Sequence, residues 1–253
     1  MIISSKTNVN YKDLLSLTTN RGRKKSERFI IEGKRELSRA LKANIPILSF
    51  VFSESATKNE RIAECFCSYF SQAILLSDKL FEKLSIRENP DGVMAIAKTW
   101  ASDLSQCKLD PNGLYLLVES LEKPGNLGAL MRSAEATRVD GFFIANPIVN
   151  IFNPNVIRAS QGAVFNLETY WDTSDNLFHF FKNFTFYVPQ HLKIPCYLSY
   201  SRKDKNHQKS DFQSGELTWE IRKITENLDL FSKCSEFDFY KNDILLEVPL
   251  NKH

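Results

Sequence analysis

Two short stretches carry the side chains of this chain best fitted to act on an anionic or hydroxylated partner. Glu119–Glu135 reads E-S-L-E-K-P-G-N-L-G-A-L-M-R-S-A-E, and Asn153–Phe165 reads N-P-N-V-I-R-A-S-Q-G-A-V-F. Each sets an asparagine and an arginine beside a glycine turn, where an apolar strand hands over to a helix. Gly125 and Gly128 would let backbone amides approach an anion, and a helix N-terminus adds a favourable dipole. Asn126 can donate and accept. Arg132, six residues on, offers a planar and permanently charged fork suited to phosphate oxygens. Taken singly, these residues have plain alternatives: a turn glycine, and a charge on a solvated helix face.

The elements that must position them follow from hydrophobic periodicity. Leu114–Val118 is a buried-type strand, and the helix after it carries an apolar stripe of Leu127, Leu130, Met131 and Ala134, which leaves Arg132 and Glu135 off the core face. Gly141–Ile144 is the next strand, one crossover later and so parallel. Leu167–Trp171, a helix over Ser174–Lys182 and a strand over Phe184–Val188 continue the pattern. Beyond Gln190 it weakens: Ser201–Asp211 is a charge-rich loop or disordered, Leu217–Leu228 a helix and Asp243–Val248 a last strand. The N-terminal part alternates in the same way, with helices over 11–20, 33–43, 56–70 and 77–84 and strands at Phe29–Ile31, Ile45–Phe52, Ala73–Leu76 and Gly92–Ala97. The polar stretch Ala101–Gly113 is the expected linker, giving an α/β fold with one module over residues 1–100 and another over 113–253.

Bulk properties exclude several classes. At 253 residues, 43% hydrophobic and 25% charged, the chain has an ordinary globular composition. It has no run of membrane-span length, and Met1–Asn10 lacks a secretory pattern, so the expected address is the cytoplasm. Cys65, Cys67, Cys107, Cys196 and Cys234 include no C-x-x-C pair and read as buried or reduced thiols, while the four histidines show no metal-ligand spacing, so no metal is expected. Charge is unevenly spread. Residues 1–48 hold eleven Lys and Arg against four Asp and Glu, a balance of +7, and with +3 for the whole chain the remainder carries −4. The segment R-G-R-K-K-S-E-R, with Arg21, Arg23, Lys24, Lys25 and Arg28, suits a polyanion bound through phosphate neutralisation and counterion release. A solvated helix face is the alternative.

Together the two motifs resemble the SpoU or TrmH branch of the SPOUT RNA methyltransferases. The branch's first motif, N-x-G-x-x-x-R-x-A after one or two acidic residues, is matched by Asn126, Gly128, Arg132 and Ala134. Its second, N-P-x-x-x-R-x-S-x-G-x-x-F, is matched by Asn153, Pro154, Arg158, Ser160, Gly162 and Phe165. F-I-I-E-G-K-R-E-L (Phe29–Leu37) and N-P-D-G-V-M-A-I-A (Asn89–Ala97) look like the ends of the small RNA-binding module that often precedes this domain. The resemblance, over roughly residues 10–190, implies a C-terminal parallel-sheet SPOUT domain and methyl transfer from S-adenosylmethionine to a ribose 2′-hydroxyl of ribosomal or transfer RNA. It makes Arg132 and Asn126 catalytic, and Arg158 and Ser160 RNA-facing with the basic segment. A homodimer is implied as well.

The third motif region departs from the family pattern. Gly215 and Glu216 stand for the cofactor-binding turn, and Val248, Pro249 and Leu250 for the I-P-M strand end, but no S-L-N-V-S follows before His253. The last helix of the family's knot is therefore expected to be missing, and a diverged chain and a shortened one both account for that. Two further functional classes stay open: an RNA-binding protein of this fold without methyl transfer, and a phosphate-handling α/β enzyme that shares the glycine turn by chance.

Overall fold

The computed structural model describes residues 2–110, 113–185, 196–200 and 244–245. The chain forms two compact units that do not follow it linearly: Met1–Ala101 with Lys123–Glu135 and Asn150–Asn166, and Ser102–Glu122 with Ala136–Val149 and Leu167–His253. The helix expected at Leu217–Leu228 and the loop at Ser201–Asp211 lie outside the described residues.

The first unit is built on a five-stranded sheet. Its strands are β1 (Ile2–Ile3), β2 (Arg28–Glu32), β3 (Ile47–Ser53), β4 (Ile74–Leu76) and β5 (Val93–Lys98), in the order β1-β4-β3-β5-β2. β5 runs antiparallel to both β2 and β3, whereas β4 is parallel to β1 and β3. Alternation along the strands splits their side chains between two faces. On one face Ile30, Val51, Met94 and Ile96 meet Tyr11, Leu14 and Leu17 of α1 (Val9–Leu17) and Leu80, Phe81 and Leu84 of α5 (Asp78–Leu84). On the other, Phe29 lies 4.9 Å from Phe152 and 6.4 Å from Phe165, ring centre to ring centre, and Trp100 joins the same aromatic group.

Two local outcomes differ from the sequence reading. The basic segment is itself a helix, α2 (Asn20–Ser26), capped by the Thr19 hydroxyl, which accepts from the Gly22 amide at 3.0 Å. Gly22 is required there, since a Cβ would stand 1.9 Å from the Ser16 carbonyl oxygen. The single helix expected at 56–70 is broken: Asn59 caps a new start at α4 (Glu60–Phe66), with 3-10 turns on either side. After α3 (Lys34–Lys42), Asn44 adopts φ 56° and ends the turn.

The second unit is a sheet in the order β10-β9-β6-β7-β8, from β6 (Tyr115–Glu119), β7 (Gly141–Ala145), β8 (Thr169–Asp172), β9 (Cys196–Tyr200) and β10 (Ile244–Leu245). All its pairings are parallel except the one between β9 and β10. The expected strand at Phe184–Val188 is corrected at its start, because Phe184 and Thr185 belong to α8 (Ser174–Thr185). The remainder of that span is not among the described residues. Leu104, Cys107 and Leu109 pack on the cluster of Tyr115, Phe143 and Leu177, so the supposed linker covers one face of this sheet.

Candidate functional site

The first motif forms α6 (Pro124–Ala136), and the second forms α7 (Pro154–Ala159) with the turn after it. The glycines do not make the anion loop their spacing suggested. Pro124 already opens the helix, and the Asn126 and Leu127 amides both donate to the Lys123 carbonyl, at 3.0 and 3.2 Å. Gly128 is buried where α6 crosses α7. A Cβ there would stand 2.5 Å from the Ala159 Cβ and 2.7 Å from both the Ser160 nitrogen and the Val156 oxygen. Its role is close helix approach.

The second motif has a comparable explanation. The Asn153 side chain caps α7 by accepting from the Asn155 amide at 2.9 Å, with Pro154 in the first turn, where its missing donor costs nothing. At the other end Gln161 donates to the Arg158 carbonyl and Gly162 to that of Ile157, both at 3.0 Å, with Gln161 and Gly162 at φ 55° and 84°. This is the paired closure of a helix by left-handed residues. Ser160 is buried, its hydroxyl donating to the Ile157 carbonyl at 3.0 Å. That bond spends the hydroxyl's proton on the helix.

Freed of those structural duties, the charged residues stand out. Leu127, Met131 and Ala134 face the core, as the stripe predicted, and Arg132 is exposed. Among the described residues it enters no ion pair. Asn126, half-buried in the first turn, stands six residues earlier, about 9 Å along the axis at 1.5 Å per residue. At 3.6 residues per turn the two also stand about 120° apart around the axis, so they share the helix but not one face of it. One turn further on, the Glu135 carboxylate accepts from Arg39 of α3 and, at 2.8 Å, from the Asn166 amide. Arg158 is exposed at the end of α7, with Nη1 donating to the Ile86 carbonyl at 3.3 Å.

The basic segment divides by exposure. Arg21, Lys24 and Lys25 are exposed. Arg28 is half-buried and forms a two-point pair with Asp13, at 3.0 and 2.7 Å. Arg23 is 3% exposed, and its Nη1 donates to the Leu17 and Thr18 carbonyls at 3.1 and 2.9 Å. Burial pulls its pKa below the ordinary guanidinium value. Its expected place on the phosphate-facing surface is therefore corrected: it closes the C-terminal end of α1.

Sequence reasoning missed two buried carboxylates, Glu32 at the end of β2 and Glu36 in the first turn of α3. Glu36 is fully buried, with Arg35 Nη2 2.9 Å from Oε1 and Arg87 Nη2 2.7 Å from Oε2. Glu32 accepts from the Ser85 hydroxyl and, at 3.0 Å, from the Ile86 amide; burial pushes its carboxyl above the usual range despite these bonds and the nearby Arg87 and Arg158. The signal was the E-G-K-R-E run itself, two acids on either side of a glycine at φ 104°.

In the second unit, the strand order reverses between β6 and β9, and parallel sheets of this kind take nucleoside ligands beyond the carboxyl ends at such a reversal. At that edge of the sheet, β6 and β7 end in the left-handed residues Ser120 and Asn146. Glu119 Oε1 accepts from Asn146 Nδ2 at 3.1 Å and from the Ser174 hydroxyl at 3.0 Å. This polar rim is suited to a nucleoside cofactor. The residues assigned to it by resemblance, Gly215, Glu216, Val248, Pro249 and Leu250, lie outside the described residues.

Residues 113–206 match the SpoU rRNA Methylase family, and residues 8–95 match the MRM3-like substrate binding domain. Residues 113–206 thus resemble a SpoU-type domain. The chain is 27% identical over 165 residues to the 23S rRNA (guanosine(2553)-2′-O)-methyltransferase RlmP of Bacillus subtilis, covering 65% of this chain and 62% of that one. It is 32% identical over 170 residues to the human mitochondrial rRNA methyltransferase 3, covering 61% and 38%. The chain thus spans about three fifths of the bacterial relative's length. A crystal structure of an RNA 2′-O ribose methyltransferase superposes with a TM-score of 0.67 at 25% identity, covering 89% of this chain and 100% of that one.

Proposed function

We propose that this protein transfers a methyl group from S-adenosylmethionine to a ribose 2′-hydroxyl of structured ribosomal or transfer RNA. The observation that carries the reading is Arg132: a guanidinium held on a rigid helix, off its buried stripe and without an ion-pair partner among the described residues. A ribose hydroxyl is a poor nucleophile until its proton leaves. A permanently charged guanidinium is a poor proton acceptor but a strong donor to the oxyanion that develops. Arg132 is accordingly assigned to stabilising that oxygen, and Asn126 to orienting the sugar. S-adenosylmethionine supplies the methyl group on a sulfonium, which makes it an electrophile without further activation. The exposed Arg21, Lys24 and Lys25 would hold phosphates at a distance from the reacting sugar, with Arg158 nearer the motif helices, whereas Arg28 is engaged by Asp13. A homodimer belongs to the same reading, and sedimentation velocity tests it.

The decisive experiment follows incorporation of labelled methyl from S-adenosylmethionine into a structured ribosomal RNA transcript, with the nucleoside identified by mass spectrometry. Arg132→Ala is expected to lower kcat by about a hundredfold or more while the chain melts as wild type does. RNA binding without incorporation by the wild type would overturn the enzymatic reading. Undiminished turnover in Arg132→Ala would overturn the role given to the residue.

A further inference from the structure

We propose that Arg39 and Asn166 are positioning residues that hold the Glu135 carboxylate away from Arg132 and so keep that guanidinium's charge available to substrate. The inference rests on the catalytic reading of Arg132.

On a helix, side chains three and four residues apart are neighbours. Around Arg132 these are Gly128, Ala129, Glu135 and Ala136, so Glu135 alone brings charge within reach along α6. Left to itself, a carboxylate at i+3 pairs with the arginine. That pairing would cancel the donor's charge and set a negative group beside an oxygen that must itself become negative. Two segments remote in sequence prevent it. Arg39 Nη2 of α3 and Asn166 Nδ2, just past the second motif, both donate to Glu135 Oε1. The Arg39 and Glu135 side chains are only 28% and 27% exposed, which weakens the competition from water. Arg39 in turn lies along Gly162. A Cβ at that glycine would come within 3.1 Å of the Arg39 Cδ, so the second motif's glycine also makes room for the holding arm.

The test reads Arg132 directly. Phenylglyoxal labels accessible, unpaired guanidinium groups, and peptide mass spectrometry follows the rate at position 132 in wild type, Arg39→Met and Arg39→Met/Glu135→Gln. Labelling of Arg132 is expected to slow several-fold in Arg39→Met, as a released carboxylate pairs with it, and to recover in the double variant. Equal rates in all three proteins would overturn the proposal whatever the turnover. Where wild type transfers methyl, kcat should follow the same order with little change in KM for RNA, and an unchanged kcat in Arg39→Met would also overturn it. The labelling pattern appearing in a protein that transfers no methyl would uphold the arrangement and refute the enzymatic reading alone. Should Arg39→Met fail to fold, Asn166→Ala removes one of the two bonds and is expected to slow labelling less, in the same direction; no slowing there overturns the proposal.

Discussion

Gly128 illustrates how a motif position can be misread in its chemistry and still be indispensable. Helix propensity alone favours alanine over glycine by about 1 kcal/mol. The space at this position opposes it, because a Cβ would meet the Ala159 Cβ at 2.5 Å and two backbone atoms of α7 at 2.7 Å. Gly128→Ala should therefore destabilise by about 1–3 kcal/mol, the usual range for overpacking, and urea unfolding gives the sign; a gain in stability would refute the close crossing. Glu32 supports a pH prediction. Burial raises its carboxyl pKa in the folded chain above the ordinary 4.5. Its contribution is complete below that value and is lost as pH rises through the folded one. Wild type should accordingly lose stability relative to Glu32→Gln as pH increases from 4.5 toward neutrality. A flat difference across that window would show that the carboxyl ionises as freely folded as unfolded.

Among the elements, α2 separates structural charge from binding charge. Arg23→Ala removes two charge-assisted bonds to the end of α1, so a loss of about 2 kcal/mol is expected in chemical denaturation. RNA affinity should change little beyond it. The double reversal Lys24→Glu/Lys25→Glu should leave the melting temperature near that of wild type but weaken RNA binding and lower the salt slope by about 2. Filter binding over a salt series tests this, and an unchanged slope would return these lysines to an ordinary solvated face. The same helix marks where sequence legibility ends. β2, β5, β6 and β7 were readable because their apolar runs are short and bounded by glycine or charge. N-R-G-R-K-K-S carries no apolar period, and its helix rests on a cap, a glycine contact and a buried arginine that only the folded chain provides. The strand expected from Phe184 failed for the opposite reason. Phe180, Phe181 and Phe184 also fit helical spacing, and α8 continues through them. At the site, Arg132 was legible from its place opposite the apolar stripe. Glu135's partners were not, since Arg39 lies 96 residues away and Asn166 lies 31 away.

For the whole molecule, the decisive fact is that the first unit draws on three separate stretches of chain. Phe29 needs Phe152 and Phe165 to cover it. A fragment ending at residue 101 should therefore bind a hydrophobic dye and melt well below the full chain, because it leaves that aromatic face open to water. A fragment that matches the full chain's melting would mean that these packing contacts add nothing. That face is covered by later residues of the chain, Phe152 and Phe165, and no described helix is long and apolar enough to cross a membrane. The same interleaving sets a schedule for synthesis. The N-terminal unit cannot close until residue 166 has left the ribosome, so a nascent chain must carry a half-finished basic module, with its aromatic side bare, while more than sixty further residues are added. Over that interval it would be a natural client for a chaperone.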